Sequence, residues 1–336
     1  MALKEYIILL LPMLVSFLVT YALLPIWINK CKKTGMLWED MNKLKHPKNV
    51  AASGGIIVIA GFIIGLLTYL AFRTIFRTDI QTNLQIFAGL STILILAIVG
   101  LTDDLLGWKH GGLSKKARII LAFAASIPLV VINAGSSSVV IPFLGAVNFG
   151  LVYPLILIPI AIAGTSTTFN FLAGFNGLEA GQGIIILSFL SYVSYAHNKL
   201  WLAMMGLVFV ASLIAFYLYN KVPAKVFPGD ILTYSVGAMI GVMAILGNFE
   251  RIALFVFIPI ILEVILKARG KLKKQSFGIP QKDNSLIMPY PKVYGLTHLS
   301  ILILSKFKSK VYEKDVTYLI FTFQLLICIL ATILFI

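Results

Sequence analysis

The chain of 336 residues is 59% apolar and only 12% charged, and its mean hydropathy is +0.96. In soluble domains roughly a quarter of the residues are charged, so this composition excludes an ordinary soluble protein and indicates a protein of the lipid bilayer. The net charge is +15, but the basic residues lie in short gaps between apolar stretches, which argues against a nucleic-acid-binding surface. With only Cys31 and Cys328, neither a disulfide framework nor a thiolate metal site is expected.

Apolar stretches long enough to cross a bilayer recur throughout the chain. A membrane-spanning helix needs roughly 20 mainly apolar residues, and ten stretches approach this length. We therefore predict an all-α, polytopic membrane protein with about ten transmembrane helices, forming a single catalytic domain over residues 1–336. The predicted spans are 6–29, 52–72, 84–101, 117–133, 151–169, 181–197, 200–219, 231–248, 252–268 and 316–336.

The basic residues are distributed unevenly between alternate loops. Of the 28 lysine and arginine residues, 23 lie in or directly beside one set of alternate loops. Cytoplasmic loops are enriched in these residues, so we predict that this set faces the cytoplasm and that both termini lie outside. The predicted cytoplasmic loops are about 30–49, 102–116, 170–180, 220–230 and 267–314.

Most carboxylates lie on the same predicted side as the basic residues, and only Glu263 lies well inside a span. A secondary transporter or lipid flippase, the alternative from another functional class, would place charged groups or broken helices near the middle of the bilayer. The one-sided distribution favours an enzyme in the cell membrane whose active site faces the cytoplasm.

Two adjacent acids, Asp103 and Asp104, follow the third predicted span, and Lys115 and Lys116 begin the fourth. A carboxylate pair beside cations can bind a divalent metal, act as a base or hold a phosphate-bearing substrate in register. A solvated helix end with its countercharges explains the same spacing equally well.

The loop from Asn170 to Gln182 contains three glycines, two asparagines and Glu179, but no basic residue. Glycines allow backbone amides to approach a ligand closely, and an asparagine carbonyl oxygen is a ligand suited to magnesium. A plain turn would explain the glycines but not the amides and the acid. The composition therefore favours a binding loop.

A third cytoplasmic segment places Phe227 and Asp230 at the start of the eighth span. Asp230 there can be a simple helix cap. Together with the two preceding segments, however, it could bind magnesium, which commonly bridges carboxylates to substrate phosphates.

Four segments of this chain resemble the polyprenyl-phosphate N-acetylhexosamine-1-phosphate transferases, and their order, their spacing and the ten-span layout agree with that family over nearly the whole chain. The segments are Asp40-Met41-Asn42-Lys43, Asp103-Asp104, Asn170 to Gln182 and Phe227-Pro228-Gly229-Asp230. Their form is more similar to the dolichyl-phosphate N-acetylglucosamine phosphotransferase branch than to the bacterial peptidoglycan branch. The short chain is typical of a prokaryotic protein, and the dolichyl-type motifs suggest an archaeal membrane.

The resemblance implies transfer of an N-acetylhexosamine 1-phosphate from a UDP-sugar to a polyprenyl or dolichyl phosphate, with release of UMP. It implies Mg²⁺ as the cofactor, with Mn²⁺ as an alternative ion, and a role in the first membrane step of lipid-linked glycan assembly for protein N-glycosylation. The same chemistry in cell-wall precursor synthesis is a second alternative. No nucleic-acid partner is expected, and a homodimer is allowed.

The resemblance also assigns roles to individual residues. Asn170 and Asp230 match magnesium ligands, Asp103 and Asp104 match the catalytic acids, and Lys115 or Lys116 is expected to meet the lipid phosphate. The residues expected to contact the nucleotide-sugar are Glu39, Asp40, Met41, Gly174, Asn176, Glu179, Phe227, Lys273 and Lys274.

One segment departs from the family pattern. The last cytoplasmic loop of the family carries an Arg-His-Arg or His-rich clamp for sugar and phosphate, whereas this chain has Lys273-Lys274-Gln275-Ser276. The lysine-rich stretch 267–274 can neutralise phosphate charge, and anchoring to anionic lipid headgroups explains it equally well.

Overall fold

The computed structural model describes residues 2–76, 80–141 and 145–336. Arg77 and Asp79, which belong to a loop predicted to face the outside, lie outside the described residues. The helices are α1 (Ala2–Thr34), α2 (Gly55–Phe76), α3 (Ile80–His110), α4 (Lys115–Ala124), α5 (Ile127–Val131), α6 (Ile158–Phe169), α7 (Leu178–Ala196), α8 (Leu200–Asn220), α9 (Gly229–Gly247), α10 (Glu250–Val256), α11 (Ile258–Arg269), α12 (Leu296–Leu304) and α13 (Glu313–Phe335).

Six of the described helices, α1, α2, α3, α8, α9 and α13, are long and apolar enough to cross a membrane. The all-α, polytopic fold class is thereby confirmed. Three predicted spans are each built from two shorter helical pieces: 117–133 from α4 and α5, 151–169 from the π-helical turn Tyr153–Leu157 and α6, and 252–268 from α10 and α11. A proline stands in the first turn of each second piece, at Pro128, Pro159 and Pro259, where its missing N–H is tolerated.

Three antiparallel strand pairs were not predicted. They pair β1 (Leu37–Glu39) with β2 (Lys48–Ala51), β3 (Ser138–Ile141) with β4 (Gly145–Asn148), and β5 (Ile279–Pro280) with β6 (Leu286–Ile287). The strands are two to four residues long, which is too short for an alternating hydrophobic pattern to stand out. The first and third pairs, together with α12, shape the loops at 30–49 and 267–314.

Helix α9 lies at the centre of the bundle. Nearly all its residues are buried, and it packs against α2, α3, α6, α7, α8 and α10. In α1 and α13, by contrast, only 22% of the apolar stretch is buried inside the protein, as expected of helices in contact with lipid. The position of the first turn of α9 is therefore fixed by contacts with several neighbouring helices.

A glycine permits close packing between α3 and the start of α9. A Cβ added at Gly100 would lie 2.5 Å from the carbonyl oxygen of Asp230 and 2.6 Å from the Cα of Ile231. Only a residue without a side chain allows this approach. Asp103 and Asp104, one turn further along α3, are thereby brought beside α9.

Glu313, the first residue of α13, fastens two other loops to the last helix. Its carboxylate is 2% exposed and accepts hydrogen bonds from the Asn176 backbone N–H (2.8 Å) and from Asn42 Nδ2 (3.2 Å). Lys43 also donates to it and forms an ion pair with it. One buried acid therefore fixes the loop at 30–49 and the loop at 170–180 to each other.

We expect Glu313→Ala to lower the free energy of unfolding by about 3 kcal/mol, because it leaves Lys43 and two N–H donors without their acceptor in a largely buried site. Equilibrium unfolding in mixed micelles measures this change. Asp315→Ala is the matched control, since it removes a more exposed carboxylate from the same turn. Asp315 pairs with Lys308 and accepts the Tyr312 backbone N–H at the start of α13, so we expect its loss to cost about 1 kcal/mol. Equal losses for the two variants would contradict the anchoring role of Glu313.

Candidate active site

A cavity of about 410 Å³ lies among the cytoplasmic loops predicted above. Most sequence-predicted site residues line it: Glu39, Asp40, Met41, Asp103, Asp104, Asn170, Gly174, Asn176, Glu179, Phe227 and Asp230. Four predicted residues, Lys115, Lys116, Lys273 and Lys274, do not. Arg118 and Phe277, which belong to none of the motifs above, line the same cavity.

Asp104 caps the N-terminus of α9 from the neighbouring helix. Its Oδ1 accepts a hydrogen bond from the Asp230 N–H (2.7 Å), and its Oδ2 lies 3.4 Å from the Ile231 N. Gly229 makes this possible, because its φ is +72° and an added Cβ would lie 2.3 Å from Asp104 Oδ2. Asp104 therefore supplies the first turn of α9 with acceptors that a helix start lacks.

Asp103 points to a different partner. Its carboxylate lies 2.9 Å from Arg118 Nε and also accepts the Leu113 N–H (2.6 Å). Arg118 extends onward, so that its Nη1 lies 3.9 Å from Asp230 Oδ2. The guanidinium is thus shared between two carboxylates on α3 and α9.

The cation near the acids is Arg118 and not one of the two predicted lysines. Lys115 and Lys116 are exposed in the first turn of α4, whereas Arg118 lies where the helix has turned back toward α3. The Arg118 Nε also donates to the Leu113 carbonyl oxygen (3.1 Å). Counting helical positions from the cap at Ser114 shows that Lys115, Lys116 and Arg118 point in different directions around α4. The sequence does not show which of these directions faces α3.

Asn170 and Asp230 come from different loops and meet at the cavity. The Asn170 Nδ2 donates to Asp230 Oδ1 over 3.0 Å, which leaves the Asn170 Oδ1 and the Asp230 Oδ2 as acceptors. An amide oxygen and a carboxylate are hard ligands of the kind that Mg²⁺ takes, together with water and substrate phosphates. The chemistry of this donor set therefore fits the ion that the family resemblance implies.

The loop from Asn170 to Glu179 folds back on itself. The Gly174 N–H donates to Glu179 Oε1 (2.9 Å). Glu179 precedes the predicted span 181–197, and its burial raises the pKa of its carboxyl to about 7. Gly174 has a φ of +106°, and an added Cβ would lie 2.7 Å from the Phe277 ring. The glycine is therefore required both by its conformation and by the aromatic residue beside it.

Two phenylalanines from separate loops line the cavity. Phe227 is held by backbone pairing, since its N–H donates to the Ala51 carbonyl oxygen and its own carbonyl oxygen accepts from the Gly54 N–H, both over 2.8 Å. Phe277 comes from the last of the loops predicted to be cytoplasmic, next to Gly278, whose N–H donates to Asn42 Oδ1 (3.2 Å). Phe277 carried no motif that could have identified it.

The lysines of the last loop are used elsewhere. Lys274 lies 4.7 Å from the ring centroid of Tyr290 and 5.8 Å from that of Tyr294, and Lys273 is exposed.

Lys267 donates to the Phe171 carbonyl oxygen and lies 3.6 Å from Glu263. The buried Glu263 accepts the Leu296 N–H (2.5 Å), so the acid inside a span holds the last loop in place.

Comparison with known proteins gives consistent matches. The model of glycosyl transferase family 4 matches residues 86–248. A protein of Saccharolobus solfataricus is 36% identical over 328 residues, which cover 97% of this chain and 96% of that protein. A protein of Dictyostelium discoideum is 29% identical over 302 residues, covering 78% of this chain and 71% of its own.

Both relatives bear the name UDP-N-acetylglucosamine–dolichyl-phosphate N-acetylglucosaminephosphotransferase, which is provisional for the archaeal protein. A Bacillus subtilis relative, 28% identical over 87% of this chain and 79% of its own, is provisionally named as an undecaprenyl-phosphate N-acetylglucosaminyl 1-phosphate transferase. Because the similarity to the Saccharolobus protein extends over nearly the whole of both chains, this chain belongs to glycosyl transferase family 4.

Proposed function

We propose that this protein transfers N-acetylglucosamine 1-phosphate from UDP-N-acetylglucosamine to dolichyl phosphate or a related polyprenyl phosphate, with release of UMP. The observation that carries the proposal is the meeting of Arg118, Asp230 and Asn170 at one end of a cavity whose other walls hold amides and aromatic rings. The names of the relatives support the same reaction. The product is the lipid-linked sugar diphosphate that begins glycan assembly for protein N-glycosylation.

The nucleotide fits the amide-rich part of the cavity. Phe227 offers a ring face on which uracil can stack, and base stacking on an aromatic ring contributes about 1–3 kcal/mol. Gly174 and Asn176 supply polar groups at the opposite loop. A contact of Lys273 and Lys274 with the nucleotide-sugar is still a prediction. Because neither lysine lines the cavity, such a contact would require the last loop to rearrange.

The phosphates fit the part of the cavity with Arg118. An arginine guanidinium matches phosphate geometry with two parallel hydrogen bonds. Asn170 and Asp230 are the residues that would hold Mg²⁺, with Mn²⁺ as the alternative. Such an ion, when bound, neutralises charge on the diphosphate and on the departing UMP.

In the proposed reaction an oxygen of the lipid phosphate attacks the phosphorus that carries the sugar. The bond from this phosphorus to the oxygen shared with UMP breaks, and UMP leaves with the electron pair. A phosphate monoester is already largely ionised at neutral pH, since its second pKa is about 6, so no strong base is needed. Asp103 and Asp104, whose oxygens bind Arg118 and the start of α9, act by positioning these groups.

The proposed reaction needs the cavity on the cytoplasmic side, where nucleotide-sugars are made. The uneven distribution of basic residues supports this orientation, with both termini outside. Labelling of single cysteines in a variant without Cys31 and Cys328 tests it. We expect a membrane-impermeant maleimide to label Ser138→Cys and Ala196→Cys in intact cells, but Lys48→Cys, Lys221→Cys and Lys282→Cys only after lysis. Labelling of Lys48→Cys in intact cells would reverse the orientation.

A donor panel tests the activity. Purified protein with dolichyl phosphate should move label from UDP-N-acetylglucosamine into lipid when Mg²⁺ is present, and chelation should abolish the transfer. UDP-N-acetylgalactosamine in the same assay identifies the sugar preference, and undecaprenyl phosphate identifies the lipid preference. Absence of labelled lipid with every UDP-sugar would refute the proposed function. Size-exclusion chromatography with light scattering on the same sample determines whether the protein is a monomer or a homodimer.

A second test identifies the phosphate-binding cation. We expect Arg118→Gln to lower kcat by about 10²–10³-fold, since a positioned donor to developing charge contributes about that much, and Arg118→Lys to recover part of the loss. Lys115→Gln and Lys116→Gln should each lower kcat less than about tenfold, because exposed charges interact weakly. If either lysine variant lowered kcat more than Arg118→Gln does, that lysine and not Arg118 would be the phosphate-binding cation.

A further inference from the structure

The side chain of Asn176 is held in one orientation by a neighbouring acid. Asn176 is only 4% exposed and Asp40 only 5%. The Asn176 Nδ2 donates to Asp40 Oδ2 over 3.0 Å, and its backbone N–H donates to Glu313 Oε1. Within residues 2–76, 80–141 and 145–336, no hydrogen bond to Asn176 Oδ1 is found.

The chemistry of the pair explains why the amide cannot turn over. A carboxylate has acceptor oxygens only, whereas an asparagine side chain has a donating NH₂ and an accepting carbonyl oxygen. If the Asn176 amide rotated by half a turn, its oxygen would face the Asp40 carboxylate, and two buried acceptors would oppose each other. Asp40 therefore obliges Asn176 to present its carbonyl oxygen elsewhere.

Asp40 is itself fixed. Its backbone N–H donates to the Pro47 carbonyl oxygen and its own carbonyl oxygen accepts the Lys43 N–H, both over 3.1 Å. The next residue but one, Asn42, donates to the Gly174 carbonyl oxygen over 2.9 Å. The turn that carries Asp40 is thus tied to the same loop as Asn176, and the two cannot separate without breaking both connections.

We propose that Asp40 is a positioning residue that makes the donor site select uridine over cytidine nucleotides, by presenting the Asn176 carbonyl oxygen to the base. The inference rests on the proposed function, because it takes Asn176 to lie beside the nucleobase. Uracil has an N–H at position 3 that can donate to this oxygen. Cytosine has an unprotonated nitrogen there, so two acceptors would meet.

This role differs from a direct contact between Asp40 and the donor sugar. A carboxylate that binds a sugar hydroxyl would affect all nucleotide-sugars alike, whereas one that orients an amide affects the choice of base. Sites built to hydrogen-bond a particular group reject analogues that leave a buried polar atom unpaired. The distinguishing measurement is therefore the ratio of affinities for two bases, not the activity alone.

The experiment compares binding of UMP and CMP to the purified full-length protein by isothermal titration calorimetry. In the unsubstituted protein we expect UMP to bind at least about tenfold more tightly than CMP. Asp40→Asn gives residue 40 both a donor and an acceptor, so the Asn176 amide can pair in either orientation. The UMP-to-CMP ratio should then fall toward one, mainly because CMP binds better.

Glu250→Gln is the matched control, because Glu250 is a partly buried carboxylate whose partner, Tyr153, is a neutral donor remote from the cavity. Its UMP-to-CMP ratio should equal that of the unsubstituted protein. If Asp40→Asn binds neither nucleotide, Asp40→Glu, which restores a carboxylate, must recover UMP binding with its preference. An unchanged ratio in Asp40→Asn, or no recovery in Asp40→Glu, would overturn the inference.

These outcomes are separable from those of the proposed function. A protein that binds UMP in preference to CMP and transfers sugar phosphate, but whose Asp40→Asn variant keeps the preference, contradicts only the role of Asp40. A protein that binds neither UMP nor CMP contradicts the nucleotide site itself, and with it both proposals.

Discussion

The capping of α9 by Asp104 is the interaction on which the remainder of the site depends. Helix α9 begins at the cavity, in the centre of the bundle, where the N–H groups of its first turn have few partners. Asp104 accepts from two of them, and Gly100 and Gly229 let the two helices come close enough. Because Asp230 is the residue whose N–H is capped, its side chain is placed by the same contact.

The acids at this junction also create an electrostatic requirement. Asp103, Asp104 and Asp230 bring three carboxylates together, and among the described residues only Arg118 forms ion pairs with any of them. Like charges in a partly buried site repel, so the cluster is suited to a cation. The proposed chemistry would meet this requirement, since a divalent ion would bring positive charge to Asn170 and Asp230, and Arg118 would pair with the substrate phosphates.

The opposite wall of the cavity is assembled by buried polar contacts between distant segments. Glu313 joins the last helix to Asn176 and Asn42, and Glu263 joins α11 to Leu296. A buried polar group without a partner destabilises the folded state, whereas a fully paired one favours a single arrangement of the segments that it joins. These contacts hold the loops at 30–49, 170–180 and 267–314 in one arrangement, including the Asp40–Asn176 pair from which base selection is inferred.

Much of the architecture follows from the sequence, because the bilayer admits few backbone arrangements and apolar length reports the helices directly. The ten apolar stretches coincide with helical segments, and the loops with Asp103, Asn170, Asn176 and Asp230 converge as their motifs indicate. The short strand pairs and the proline breaks within three spans could not be predicted from the sequence, because short strands and interruptions of a helix change the hydrophobic pattern very little.

The roles of individual side chains were decided only by the tertiary structure. Arg118, not Lys115 or Lys116, reaches the acids because of the angle at which α4 approaches α3, and Phe277 reaches Gly174 because Glu263 and Asn42 hold the last loop. Spacing along a helix predicts which residues share a face, but not which other helix or loop that face packs against. Charge and motif therefore determined where the chemistry of this protein lies, while packing between distant helices determined which atoms are available to perform it.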